Sequence, residues 1–173
     1  MELRQGSCSS SQEFWVLLAD IHQRHYHALV GLAALYLDGA GEDVVQDAFV
    51  GVWLRWDHIH DTDKVLVYLR RAVMNNAKSA LRHRAVVHRQ PSPVPTTSRS
   101  SEDVALGHLA DEAVIARLRR LPARQRACAG LRLFLQLSEK ETAEVLDIST
   151  GSVKQHTSRA MKKLARGWEA SDG

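Results

Sequence analysis

Little in this sequence could cross a membrane or staple a fold. Its apolar run at residues 29–37 falls far short of the roughly twenty residues that span a bilayer. The first residues lack the basic start and long apolar segment of a secretion signal. Cys8 and Cys128 stand far apart and form no CxxC pair. That pattern points to a reduced, cytoplasmic protein, with Cys128 as a small core residue. No P-loop, HExxH, GxSxG or dinucleotide fingerprint is present, so the expectation is a protein that is not an enzyme. His22 and His25 lie three apart, but no cysteine or carboxylate pattern joins them as metal ligands. No metal, cofactor or membrane insertion is expected. The net charge of +3 is too small to single out a nucleic-acid binder, so the placement of charge carries that question.

What is there is helical periodicity. Four prolines and ten glycines in 173 residues leave most of the chain free to be helical. Residues 1–12 are polar and expected to fray. From 13 to 37, Phe14, Leu17, Leu18, Ile21, Leu29, Leu32 and Tyr36 recur at helical spacing. After a Gly-containing turn, Glu42 and Asp43 open a second helix, where carboxylates suit the positive end of the dipole. Val44, Val45, Ala48, Phe49, Val52, Trp53 and Trp56 form its apolar stripe, and Asp43, Gln46 and Asp47 lie opposite. A third helix covers 64–84. Its buried side is expected to hold Val65, Tyr68, Leu69, Val73, Ala77 and Leu81, and its exterior Arg70, Arg71, Lys78, Arg82, His83 and Arg84. No acidic residue falls between Arg70 and Arg99, a one-sidedness that suits a polyanion partner.

Residues 90–101 carry three prolines and a run of serine and threonine, the mark of a linker. Periodicity returns near Asp111 with Val114, Ile115, Leu118 and Leu121, stops at Pro122, and resumes through Ala127, Cys128, Leu131 and Phe134. Gly130 interrupts that last helix. Ser138 and Glu141 make a capping box before a short helix. Asp147 tolerates the left-handed turn that follows, and Ser149 caps the next helix. There Val153, Ala160, Met161 and Leu164 face inward, and Lys154, Gln155, Arg159, Lys162 and Lys163 face out. This is a helix-turn-helix, whose second helix fits the DNA major groove. The expected fold is all-α: two small helical domains, 12–87 and 112–168, joined by a flexible linker at 88–111.

These pieces together resemble the extracytoplasmic-function group of bacterial RNA polymerase sigma factors. GEDVVQDAF at 41–49 is similar to the family's polymerase-binding helix. RWD at 55–57 and YLRRAVMNNAKSALRHR at 68–84 resemble the segment that opens and reads the minus-ten element. LRRLPARQRA at 118–127 and the stretch 137–165 resemble the minus-thirty-five domain. The resemblance implies that Asp43, Gln46, Asp47 and Phe49 dock on core RNA polymerase. It assigns Trp56, Arg71, Asn75, Lys78 and Arg82 to minus-ten DNA, with the loop 57–63 near a flipped base. It assigns Ser149, Thr150, Ser152, Lys154, Gln155, His156, Ser158, Arg159 and Lys162 to minus-thirty-five DNA. The implied partners are core polymerase, promoter DNA and an anti-sigma factor, and the implied location is the cytoplasm, on the nucleoid when bound to polymerase. The sequence departs from the family at Asp147, Gln155, His156, Thr157 and Gly130. The alternative is a free-standing helix-turn-helix regulator that does not bind polymerase.

Overall fold

The structure, a computed structural model, describes residues 6–37, 39, 41–59, 61–87 and 112–169. Among these residues there are seven α-helices and no strand: α1 Gly6–Ala34, α2 Gly41–Trp53, α3 Val65–Val87, α4 Glu112–Arg119, α5 Ala123–Leu133, α6 Glu139–Leu146 and α7 Thr150–Glu169. Short 3-10 turns at Trp56–His58 and Thr62–Lys64 connect α2 to α3. The expected linker 88–111 lies outside the described residues.

The first three helices pack pairwise into one bundle. Phe14, Leu18, Ile21, Leu29, Leu32 and Ala33 of α1 are buried, as a stripe recurring every three to four residues should be. The helix begins at Gly6, so part of the polar start expected to fray is helical. Its last turn then gives way to a tight turn at Leu35–Tyr36. On α2 the apolar stripe Val44, Val45, Ala48 and Val52 is buried. On α3 Val65, Leu69, Val73 and Ala77 recur every fourth residue and are fully buried. Two expectations for α3 fail. Tyr68 and Leu81, placed on its inner side by periodicity, are exposed, and Arg70, placed outside, is buried at 8% exposure. The contact face has rotated toward Arg70 because a second layer covers that side, as described below.

Helices α4 to α7 form the second unit. Pro122 stands at the N-cap of α5, where its fixed φ suits a helix start. Five consecutive residues of α5, Ala127–Leu131, are buried. One amphipathic stripe buries three or four residues in two turns, so α5 is covered on more than one side. It is the central element, packed on α6 and α7 and also against α1. The sequence placed only one face of this helix inside. Cys128 is buried and free, as expected.

The helix-turn-helix follows the sequence closely. Glu141 N donates to Ser138 Oγ at 3.2 Å and Ser138 N donates to Glu141 Oε2 at 2.7 Å. Such a cap stabilises a helix by about 1 kcal/mol. These bonds hold the Glu141 carboxyl below its ordinary range. Asp147 adopts the left-handed conformation at φ 55, and its short polar side chain makes that bearable. Val153 and Ala160 of α7 are fully buried. Met161, expected on the inner side, is 45% exposed, because the contact face runs through Val153, Ala160 and Leu164 and leaves Met161 at its edge.

Buried side chains of both units belong to one continuous cluster, from Phe14 to Ala160. The second unit lies on the first, with α6 against α3.

Candidate nucleic-acid interface

Three charged surfaces follow from the sequence, and the structure treats each differently. On α2, Asp43, Gln46 and Asp47 are exposed. Phe49 is half-buried, with its ring 5.1 Å from that of His22, so it packs α2 on α1 more than it faces outward. Val50 and Leu54 are 56% and 74% exposed. With Asp43 and Asp47 they make one row at steps of three and four residues. Sequence reasoning missed this apolar continuation, although the spacing was there to be read. At the end of the row, Trp15 and Trp53 meet edge to face at 5.3 Å, and Phe14 lies 6.2 Å from both Trp53 and Trp56.

On α3, Arg71, Asn75, Lys78 and Arg82 also form one row by their spacing. Asn75 and Arg82 are exposed, whereas Arg71 and Lys78 are half-buried. Arg71 Nη2 donates to Glu144 O at 2.7 Å, and its Nε donates to Val145 O at 3.3 Å. Both acceptors belong to the last turn of α6. Arg71, Asn75 and Lys78 border a cleft of about 190 Å³ whose far wall is Arg124, Leu146 and Asp147. Burial, and then the Arg124 guanidinium, hold the Lys78 ammonium below its ordinary value. Burial does the same to Arg70, against the pull of Glu141. The basic exterior expected for α3 is therefore in part an internal surface, because the second unit sits on it. Trp56 does not join this row, since its ring packs against Phe14 instead. In the 57–63 loop, Asp61 accepts from Asp63 N at 3.1 Å and pairs with Lys64 at 3.3 Å. His60 lies outside the described residues.

On α7, Thr150, Lys154, Gln155, Ser158, Arg159 and Lys162 are exposed. They give a face of hydrogen-bonding and cationic groups along the helix. Ser149 is exposed as well, while Ser152 and His156 are half-buried. Ser149 Oγ accepts from Ser152 N at 3.2 Å and lies 2.9 Å from Ser152 Oγ, so the two hydroxyls are engaged in capping. His156 is half-buried, and its Nδ1 is enclosed without a partner. The Oγ1 of Thr157 is also buried without a partner, as a hydroxyl at a core position would be.

Among the described residues, no group of three or more His, Cys, Asp or Glu is placed to hold a metal ion. No helix there is long and apolar enough to cross a membrane.

Comparison with known proteins agrees with this layout. A family model described as Sigma-70 region 2 matches residues 21–86, and one described as Sigma-70, region 4 matches residues 111–164. The chain is 33% identical over 132 residues to the RNA polymerase sigma-E factor of Streptomyces avermitilis, covering 76% of this chain and 72% of that one. Its fold is similar to that of CnrH in complex with the cytosolic domain of CnrY, with a TM-score of 0.70 at 23% identity over 94% of each chain. It is also similar to the sigma factor RpoE in complex with the anti-sigma factor NepR from Bartonella quintana. There the TM-score is 0.60 at 19% identity, over 90% of this chain and 93% of that one. At those identities the structural likeness speaks for the fold alone. Two sigma regions in order, on a chain aligned along most of a sigma factor, settle the kinship: this protein belongs to the extracytoplasmic-function group of bacterial RNA polymerase sigma factors.

Proposed function

We propose that the chain acts as a promoter-specificity subunit in the cytoplasm, with no catalytic chemistry of its own. The domain at 12–87 docks on core RNA polymerase through the exposed α2 row of Asp43, Gln46 and Asp47, extended by Val50 and Leu54. Its α3 row, Arg71, Asn75, Lys78 and Arg82, holds the backbone of the melted minus-ten strand. Cations placed in this way fix register without reading sequence. The domain at 112–168 lays α7 in the upstream major groove. There Lys154, Gln155 and Arg159 reach base edges, and Lys162 reaches phosphate. The linker at 88–111 raises the effective concentration of one weak reader once the other is bound. The solved complex of RpoE with NepR supports an anti-sigma factor as a further partner class.

One observation carries this reading: the exposed outer face of α7, set by an intact capping box and left-handed turn, follows a bundle whose α2 row is also exposed. Promoter-dependent transcription with purified core polymerase tests it. The chain is expected to bind core and direct initiation from its own promoters. Absence of core binding, with sequence-specific duplex binding retained, would instead show a free-standing regulator.

A further inference from the structure

The two helical units hold each other by the carbonyl ends of their helices. The last carbonyls of a helix have no partner within it, and they carry the negative end of its dipole. Arg119 on α4 donates to Ala34 O from Nε at 2.9 Å and from Nη2 at 2.6 Å, and its Nη2 also donates to Leu37 O at 3.2 Å. Arg126 on α5 donates to Leu35 O at 3.4 Å and lies 5.3 Å over the Tyr36 ring. The second unit thus grips the end of α1. In the other direction, Arg71 of the first unit grips the end of α6 at Glu144 and Val145.

Between the arginines lies a glycine that the helix itself does not need. Gly130 is in the interior of α5, where glycine is less favourable than alanine by about 1 kcal/mol. A Cβ there would overlap Leu35 Cδ1 and lie 3.4 Å from Leu32 Cδ1. Both neighbours belong to the first unit, and both are fully buried. Gly130 is a notch shaped by Leu35, and this accounts for its departure from the larger residue expected at that position.

We propose that these contacts form a latch within the chain: closed, it commits Arg71 to the carbonyls of α6 and half-covers the α3 row at Arg71 and Lys78, and Gly130 is what lets it close. The inference rests on the reading of α3 as the strand-holding face. Carbonyl oxygens at a helix end bear partial negative charge, whereas a phosphate bears a full one. DNA therefore competes for the same guanidinium on better terms. The closed form carries costs that make it reversible. Arg71, Lys78 and Arg124 crowd around a cleft with Asp147 as the carboxylate on its wall. Tyr36 Oη and Arg70 Nε are buried without a partner. The α2 row stays exposed throughout, so polymerase docking does not require the latch to open.

The test is Gly130→Leu in the full chain. It is read by small-angle X-ray scattering and by anisotropy of fluorescein-labelled single-stranded DNA of mixed sequence. A compact chain of this length has a radius of gyration of roughly 16 Å. The variant is expected to expand measurably beyond the wild type and to bind the DNA about tenfold more tightly, with its helical circular dichroism unchanged. Adding Leu35→Ala returns the space and should restore wild-type values in both measurements. An unexpanded Gly130→Leu chain would overturn the latch. So would a variant that loses helix and is not rescued by Leu35→Ala. An expanded variant with wild-type DNA affinity would overturn the covering of α3. If Arg71→Ala in that background also left the affinity unchanged, the strand-holding reading would fall with it.

Discussion

Helices α2 and α3 are neighbours in one bundle, and each carries a charged row opposite an apolar stripe. In α2 the row is exposed along its length. In α3 the row is half-covered: Arg71 is spent on the carbonyls of α6, and Lys78 lies beside Arg124. The rows differ in what lies on top of them, not in the periodicity that makes them. A surface that needs no rearrangement suits the first encounter with a partner. A surface held by the chain's own second unit suits a step that follows.

The largest effect should come from reversing the free row. Asp43→Arg with Asp47→Arg is expected to weaken binding to core polymerase by about a hundredfold or more, since opposed like charges cost several kcal/mol. Scattering and helical content should stay as in the wild type. Unchanged core affinity would break the assignment of α2 as the docking face. The covered row is probed from the opposite side by Arg119→Ala, which removes the donors to Ala34 and Leu37. A urea melt should show a loss of about 2 kcal/mol, with core affinity unaffected.

Tyr36 sharpens the comparison through pH. Burial pushes its phenol up to about 12, with Arg126 opposing the rise and Cys128 adding to it. The folded chain therefore keeps a proton that the unfolded chain loses near its ordinary value of about 10. Stability present below pH 10 is lost as the pH rises from 10 toward 12, on the order of 2 kcal/mol for this group. Tyr36→Phe, which also deletes a buried hydroxyl without a partner, should flatten that stretch of the stability profile. An identical alkaline slope in the variant would show that the phenol is not enclosed. The smallest effect is expected at Thr142, which is fully buried with its Oγ1 unpartnered. Thr142→Val should raise stability by about 1 kcal/mol in the same melt.

Local chemistry made much of this legible in the sequence. The Ser138–Glu141 box, the left-handed Asp147 and the Ser149 cap are each set by residues within a few positions, and all three are present. The buried stripes of α1, α2 and α3 followed from periodicity for the same reason. What failed did so wherever a second layer decided the outcome. Arg70 is inside, Tyr68 and Leu81 are outside, and α5 is buried around more than one face, because helical spacing tells which residues share a face but not how many faces are covered. His156 is half-buried and Ser152 is engaged by Ser149, neighbours that the sequence pattern did not specify. Gly130 was visible as an oddity, but its reason, Leu35, lies far away in the chain and only the fold brings the two together.

The contrast between a free row and a covered one is tested most directly by titrating wild type and Gly130→Leu in parallel, against core polymerase and against single-stranded DNA. Core affinity should agree within about twofold, because α2 is exposed in both, while DNA affinity rises about tenfold in the variant. Equal shifts for both partners, or no shift for either, would contradict the account.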